Sequence, residues 1–271
     1  MSYFVCPICK AELKKRQNSF VCAENHCFDQ SRKGFLNLLL SQKSRHGDDK
    51  LMVRARKNFL EKGYYLPLLK VLTKQVETAA YDGCTILDCG CGECWYTNRL
   101  YESLEKKGIS TEFFGIDVSK EAISLGASRN RKIKLAVASV YDIPLSDHSC
   151  DIILSLFAPF SPKEYERLLK KNGTFILAFP MQNHLWELKQ AIYDRPYKNE
   201  VSELKMNGYT LISNEVIHDT INLCTNEDIF SLFSMTPYFY KTSKQDKEKL
   251  EHLDRLETQI HFCTVMYRKN D

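Results

Sequence analysis

Six residues near the amino end are of types that hold metal ions or the loops around them. Cys6-Pro7-Ile8-Cys9, Cys22 and His26 form the pattern C-x2-C-x12-C-x3-H. Two close pairs of soft ligands separated by a loop suit tetrahedral zinc, because each pair makes one knuckle and the loop joins them. So small a segment has little core of its own, and bound metal would supply much of its folding free energy. Scattered free thiols on a surface are the bland alternative, which this spacing disfavours. Cys27 stands beside His26 and leaves the identity of the fourth ligand open.

A second group of residues could hold a nucleotide-like ligand. Thr85-Ile86-Leu87-Asp88-Cys89 runs into Gly90-Cys91-Gly92-Glu93-Cys94-Trp95-Tyr96, after which helix-forming residues resume at Asn98-Arg99-Leu100. This reads as a buried strand, a tight loop and the start of a helix, a unit that places ligands at the carboxyl edge of an α/β sheet. Gly90 and Gly92 permit close backbone approach there. G-x-G alone is weak, since ordinary turns share it. A second apolar strand, Phe113-Phe114-Gly115-Ile116-Asp117, ends in a carboxylate suited to both hydroxyls of a ribose. Ala136 to Asp142 and Asp151-Ile152-Ile153-Leu154-Ser155-Leu156-Phe157-Ala158-Pro159 continue the strand series.

These groups need a scaffold, and 271 residues allow one good-sized domain plus a small module. Apolar runs of 18 or more residues do not occur, and the first residues carry no leader-like pattern, so no membrane span and a cytoplasmic protein are expected. The 11 cysteines then favour thiols and metal ligation over disulfides. Residues 1–57 carry 12 Lys and Arg against 5 Asp and Glu, leaving about −3 for the remainder. A basic front end on a mildly acidic body points to a polyanionic partner. The apolar residues of Gly34 to Leu40 are expected to pack the finger onto a neighbour. Ser41 to Asp49 reads as a polar linker. Lys43, Arg45, Lys50, Arg54, Arg56 and Lys57 could meet phosphates or be solvated. Leu51 to Ala80 reads as helix, interrupted at Gly63 and Pro67. In the last third, Gly208-Tyr209-Thr210-Leu211-Ile212 and Ile260 to Tyr267 alternate as strands do, and Gln245 to Gln259 reads as a charged helix.

The strand series resembles the class I S-adenosylmethionine (SAM)-dependent methyltransferases, whose motifs follow in this order. That implies a Rossmann-like seven-stranded sheet, with the glycine loop facing the methionine part of SAM, Asp117 on the ribose, and Ser139 and Val140 flanking the adenine. A closer resemblance spans essentially the whole chain. The finger with its His-x-Phe-Asp continuation, Lys33-Gly34-Phe35-Leu36-Asn37-Leu38-Leu39, Arg54 to Leu60, Gly63-Tyr64-Tyr65, Phe179 to Leu188 and Met235-Thr236-Pro237 are similar to the RlmA family. These are 23S rRNA (guanine-N1)-methyltransferases, the tylosin-resistance enzyme among them.

The resemblance implies zinc on Cys6, Cys9, Cys22 and His26. It also implies SAM contacts from Tyr65, Asp88, Gly90, Gly92, Glu93, Cys94, Trp95, Asp117 and His184, with Asp88 orienting the glycine turn. It implies methylation of a guanine (745 or 748) in hairpin 35 of 23S rRNA, and a homodimer with a cleft for that hairpin. The implied organisation is a zinc-binding finger at 1–40, a linker and helices at 41–80, and a methyltransferase domain at 81–271. Methyl transfer from a sulfonium relies on alignment, and guanine N1 must lose a proton, but the sequence names no base for it. Phe157 to Phe160 stand where an acceptor pocket is shaped, and an aromatic there could stack on guanine or simply pack the core. One departure stands out. The family pattern G-C-G-E-G has glycine where this chain has Cys94, and a positive φ there would cost roughly 1 kcal/mol. Two rival readings are a SAM enzyme for a small molecule and an rRNA-binding protein without catalysis.

Overall fold

The computed structural model describes residues 4–40, 48–201 and 206–270. Most of the polar linker, with Lys43 and Arg45, lies outside the described residues. The chain opens with β1 (Lys14–Arg16), β2 (Ser19–Val21) and β3 (Cys27–Asp29), a small antiparallel sheet. β4 (Leu36–Asn37), α1 (Lys50–Glu61) and α2 (Leu66–Ala79) follow. Asp49 caps α1 by accepting from the Met52 amide at 2.9 Å. Pro67 sits in the first turn of α2, where its missing N–H is not needed. The gap between these helices therefore falls at Gly63, with φ 82°.

The main body continues with β5 (Thr85–Cys89), α3 (Trp95–Lys106), β6 (Glu112–Asp117), α4 (Lys120–Gly126), β7 (Lys134–Val137) and β8 (Cys150–Leu156). It ends with α5 (Pro162–Leu168), β9 (Leu169–Pro180), α6 (Trp186–Ile192), β10 (Tyr209–Leu223), α7 (Asn226–Ser234), α8 (Lys244–Glu251) and β11 (Leu256–Lys269). The strands form one sheet in the order β10-β11-β9-β8-β5-β6-β7-β4. β11 runs antiparallel to both neighbours, and the strands from β9 to β4 are parallel. Strand order reverses at β5, between β6 and β8, so the crevice beyond its carboxyl end is the natural ligand site. Among the described residues no helix is long and apolar enough to cross a membrane.

The seven expected strands are present, and an eighth joins them. Leu36 and Asn37 pair in parallel with Ala136 and Val137, so the amino-terminal segment contributes a strand to the main sheet. A second difference lies near the end. The helix expected over Gln245 to Gln259 stops at Glu251, and Leu256 begins the long strand β11. The fourteen residues of β11 pair with β10 along their whole length, and Phe262 to Arg268 pair with β9 as well, and that pairing overrides helical spacing.

A parallel sheet needs cover on both faces. Ile86, Phe113 and Ile152 face one side with α2 and α3, whereas Leu87, Phe114 and Ile153 face the other. On that second side the link from β7 to β8, residues 138–149, contains no helix. The finger takes its place. Phe4, Leu13 and Phe20 join Leu36, Phe114, Ala136, Ile143 and Leu145 in one buried cluster. Phe4 meets Phe114 edge-on with centroids 5.4 Å apart, and the Val5 amide donates to the Pro144 carbonyl at 2.9 Å. Each large apolar side chain buried this way is worth about 2 kcal/mol, so the finger is a structural layer of the body.

Candidate metal centre and cofactor crevice

Cys6, Cys9, Cys22 and His26 converge so that their ligand atoms lie within 4.8 Å of one another. Cys9 and Cys22 sulfurs stand 3.6 Å apart, and His26 Nδ1 is 3.5 Å from Cys6 Sγ and 3.3 Å from Cys22 Sγ. Zinc–sulfur bonds of about 2.3 Å in a tetrahedron require S···S edges of about 3.8 Å and S···N edges of about 3.5 Å. The cluster fits zinc. Burial would raise the Cys22 thiol, but the His26 amide, the Cys9 thiol and the Glu24 amide outweigh it and bring it to about 7. Cys27 is exposed on β3 and outside the cluster, so the fourth convergent side chain is that of His26.

At the carboxyl end of β5 the glycine loop folds back on β6. The Gly90 and Cys91 amides both donate to the Ile116 carbonyl at 2.9 Å. A side chain at Gly90 would strike Ala158 Cβ at 2.5 Å, which ties this loop to the end of β8. Asp117 Oδ2 accepts from the Gly92 amide at 3.0 Å and Oδ1 from the Ser119 amide at 2.7 Å. Burial pushes the Asp117 carboxyl up, against those two amides. Asp88 is fully buried; its Oδ2 accepts from Thr97 Oγ1 at 2.6 Å. Its Oδ1 has no partner among the described residues. Burial raises the Asp88 carboxyl to about 7, with the Thr97 hydroxyl opposing. A buried carboxylate oxygen without a donor, beside a loop of close backbone approach, fits a ligand bearing an amino group.

Cys94 adopts φ 62° and ψ 31°, so the departure from glycine does fall at a left-handed position. The thiol is accommodated because Gly126 faces it: a side chain at Gly126 would meet Cys94 Sγ at 2.5 Å. Glu93 is buried and paired with Arg129 at 3.1 Å. Burial raises the Glu93 carboxyl while Arg129 and Arg56 oppose it. Trp95 starts α3, buried, with Arg99 over its ring at 4.1 Å.

Tyr65 and His184 meet across the crevice, Oη to Nε2 at 3.5 Å, around the ring of Phe262. The His261 amide donates to His184 Nδ1 at 3.3 Å, so Nε2 carries the ring proton. Burial, with Lys189 and His261 nearby, lowers His184 to about 3. Neither ring nitrogen then has a free lone pair to take a proton from substrate. Ser139 and Val140 lie just after β7, with the Ser139 backbone bridged to Asp142 and Val140 buried in the layer under the finger. Phe157, 43 % exposed, is held at φ 59° at the end of β8. A non-glycine residue there carries strain that clusters at functional sites, and its ring is presented at the crevice.

Arg56 corrects one expectation. Rather than meeting phosphates it turns inward, pairs with Asp48 and lies against Gly92. Its charge also opposes those of Glu93 and Asp117. Helical spacing puts Arg56 in line with Met52, Phe59 and Leu60, and only the tertiary position of the loop reveals what it meets there. Gly126 and Arg129 were likewise invisible, since neither belongs to a motif.

A sheet of this order, a glycine loop after β5 and a carboxylate at the end of β6 define a class I SAM-dependent methyltransferase, here with a zinc ribbon built onto it. Residues 4–46 match the family model described as RlmA, N-terminal, and residues 80–253 match a methyltransferase domain. YxjB of Bacillus subtilis (strain 168), provisionally named a 23S rRNA (guanine-N1)-methyltransferase, is 30% identical over 93% of this chain and 92% of the relative. The 23S rRNA (guanine(748)-N1)-methyltransferase of Streptomyces fradiae is 34% identical over 70% of this chain and 68% of its own. Among solved structures, YcgJ of Bacillus subtilis superposes with a TM-score of 0.49 at 19% identity, over 75% of this chain and 98% of that one. The chain belongs to the RlmA family of 23S rRNA (guanine-N1)-methyltransferases.

Proposed function

We propose that this protein methylates N1 of a guanine in hairpin 35 of 23S rRNA, in the cytoplasm and as a homodimer. The observation that carries the RNA reading is a cleft of about 540 Å³ between the ribbon and the start of β7. Lys15, Arg32 and Lys33 line it from the ribbon side and Arg131 and Lys134 from the body, with no acidic residue in its lining. The cleft lies at the amino ends of the strands, the cofactor loop at the carboxyl ends. Four to six strand residues at ~3.3 Å each separate them. An extended polyanion spans that separation and a small molecule does not, which favours RNA over the small-molecule reading. The accommodated Cys94 and the retained Asp117 count against a protein without catalysis.

In this reading the metal is zinc on Cys6, Cys9, Cys22 and His26. SAM lies along Tyr65, Asp88, the Gly90, Gly92, Glu93, Cys94 and Trp95 loop, Asp117, Ser139, Val140 and His184. When bound, SAM supplies an electrophilic methyl group. Asp117 holds the ribose, Asp88 receives an amino group, neutral His184 and Tyr65 wall the methionine end, and Phe157 stacks on the guanine. Domain limits follow as ribbon 1–40, linker and helices 41–80 and catalytic body 81–271, with β4 crossing into the body's sheet.

Primer extension across hairpin 35, from cells with and without the gene, tests this. N1 methylation blocks pairing, so a stop that disappears on deletion supports the reaction and the target base. An unchanged pattern refutes that hairpin as substrate.

A further inference from the structure

Outside the metal cluster, Cys91 and Cys94 hold their sulfurs 3.7 Å apart in the cofactor loop. The Cys94 amide donates to the Cys91 carbonyl at 2.9 Å, closing a turn. Such a turn keeps its end Cα atoms within about 7 Å, and a disulfide needs about 4.4–6.8 Å. Space is cleared around both thiols. A side chain at Gly115 would meet Cys91 Sγ at 2.9 Å, and one at Gly126 would meet Cys94 Sγ at 2.5 Å. A second metal centre is not the explanation: among the described residues the ribbon holds the one group of three or more convergent ligands.

We propose that Cys91 and Cys94 are an oxidation site, a dithiol that closes to an intraloop disulfide on reaction with a low-molecular-weight disulfide and thereby weakens cofactor binding. The proposal rests on the reading of this loop as the cofactor cradle. Cys91 is 8% exposed and Cys94 fully buried, so Cys91 reacts first, and slowly, because burial and the adjacent Cys94 hold its thiol well above the ordinary range. Its thiolate attacks RSSR, forming a mixed disulfide and releasing one RS⁻. The Cys94 thiolate then displaces the second RS⁻, closing the Cys91–Cys94 bond. Two electrons pass from the protein thiols to the small disulfide, and the two protons leave with the released RSH. Closure draws the sulfurs from 3.7 Å to about 2.05 Å. Gly92 lies between them, and its amide donates to Asp117, so the movement reaches the ribose-holding carboxylate. Reciprocity requires that bound SAM oppose oxidation by the same factor.

Full-length, zinc-loaded protein is treated with oxidised glutathione, with and without saturating SAM. Peptide mass locates disulfides, metal analysis tracks zinc, and calorimetry gives the SAM Kd. The expected result is loss of two hydrogens on the peptide holding Cys91 and Cys94 with zinc retained. The Kd should rise about tenfold, revert with dithiothreitol, and change more slowly when SAM is present. Cys94→Ser and Cys94→Gly, each against its own untreated value, should show no oxidation-dependent change. Exposed Cys27 and Cys224 serve as internal reporters. If they are fully modified while Cys91 and Cys94 stay reduced, or if the disulfide forms and the Kd is unmoved, the proposal is wrong. Reduced protein that binds no SAM would instead refute the cradle reading, and the proposal with it.

Discussion

The molecule holds two C-x-x-C turns, Cys6 to Cys9 in the ribbon and Cys91 to Cys94 in the cofactor loop, and they do different things. Around the first, Cys22 and His26 converge to within 4.8 Å and complete a four-ligand group. Around the second, two glycines clear space and, among the described residues, no further ligand completes a metal group, leaving a dithiol. The spacing is identical, so what separates a metal site from a redox-capable pair is what the rest of the fold brings alongside. In the ribbon that is another knuckle beginning 13 residues on. In the loop it is the backbone of β6 and the end of α4.

The largest expected effect breaks the first turn. Cys9→Ser should lose zinc and destabilise the whole protein by several kcal/mol, because metal ligation carries the ribbon's folding and the ribbon covers the sheet. Metal content and thermal melting read this, and Cys27→Ser should leave both unchanged. Intact melting in a zinc-free Cys9→Ser protein would mean the ribbon is dispensable to the body. Next, Asp117→Asn keeps the shape of the loop's anchor but removes its charge. Loss of a charged hydrogen bond predicts a roughly 10- to 100-fold rise in the SAM Kd, with zinc content unaltered; an unchanged Kd would remove Asp117 from the site.

The second turn can be tested for its packing. Gly126→Ala should destabilise by about 1–3 kcal/mol through overlap with Cys94 Sγ, although helix propensity alone favours alanine. In a Cys94→Gly background the cost should largely vanish, and additive effects in that double-mutant cycle would refute the contact. An effect of similar size that depends on pH concerns His184. Its folded value of about 3 lies below the usual 6.5, so between these the unfolded chain binds a proton that the folded chain does not. Stability from this group is therefore fully present above 6.5 and is lost as pH falls toward 3, by about 1.4 kcal/mol per unit. His184→Gln should flatten that slope in urea titrations at pH 7 and pH 5.

Much of this was legible in the chain. The ligand pattern of Cys6, Cys9 and Cys22, with His26 or Cys27 as the fourth, is written locally, and so are the strands flanking Gly90 and Asp117, whose apolar runs are bounded by turns. The unread parts all depend on distant partners. β4 is two residues long, and it becomes a strand because Ala136 and Val137 lie about a hundred positions further on. Arg56 carries no local mark that its partners are Asp48 and the cofactor loop. Leu256 satisfies a helical stripe equally well, and only its pairing with Leu223 of β10 decides against it.

The ribbon's place as a layer of the sheet has a consequence for how the protein is made. Its ligands are complete once His26 is synthesised, long before the surface of β6, β7 and residues 138–149 that it covers exists. Zinc is therefore captured early, and the loaded ribbon waits as a preformed template for strands that follow. Zinc supply then sets how many copies mature. In starved cells this predicts protease-sensitive nascent chains, measurable by pulse-labelling, and not a pool of folded enzyme lacking its metal.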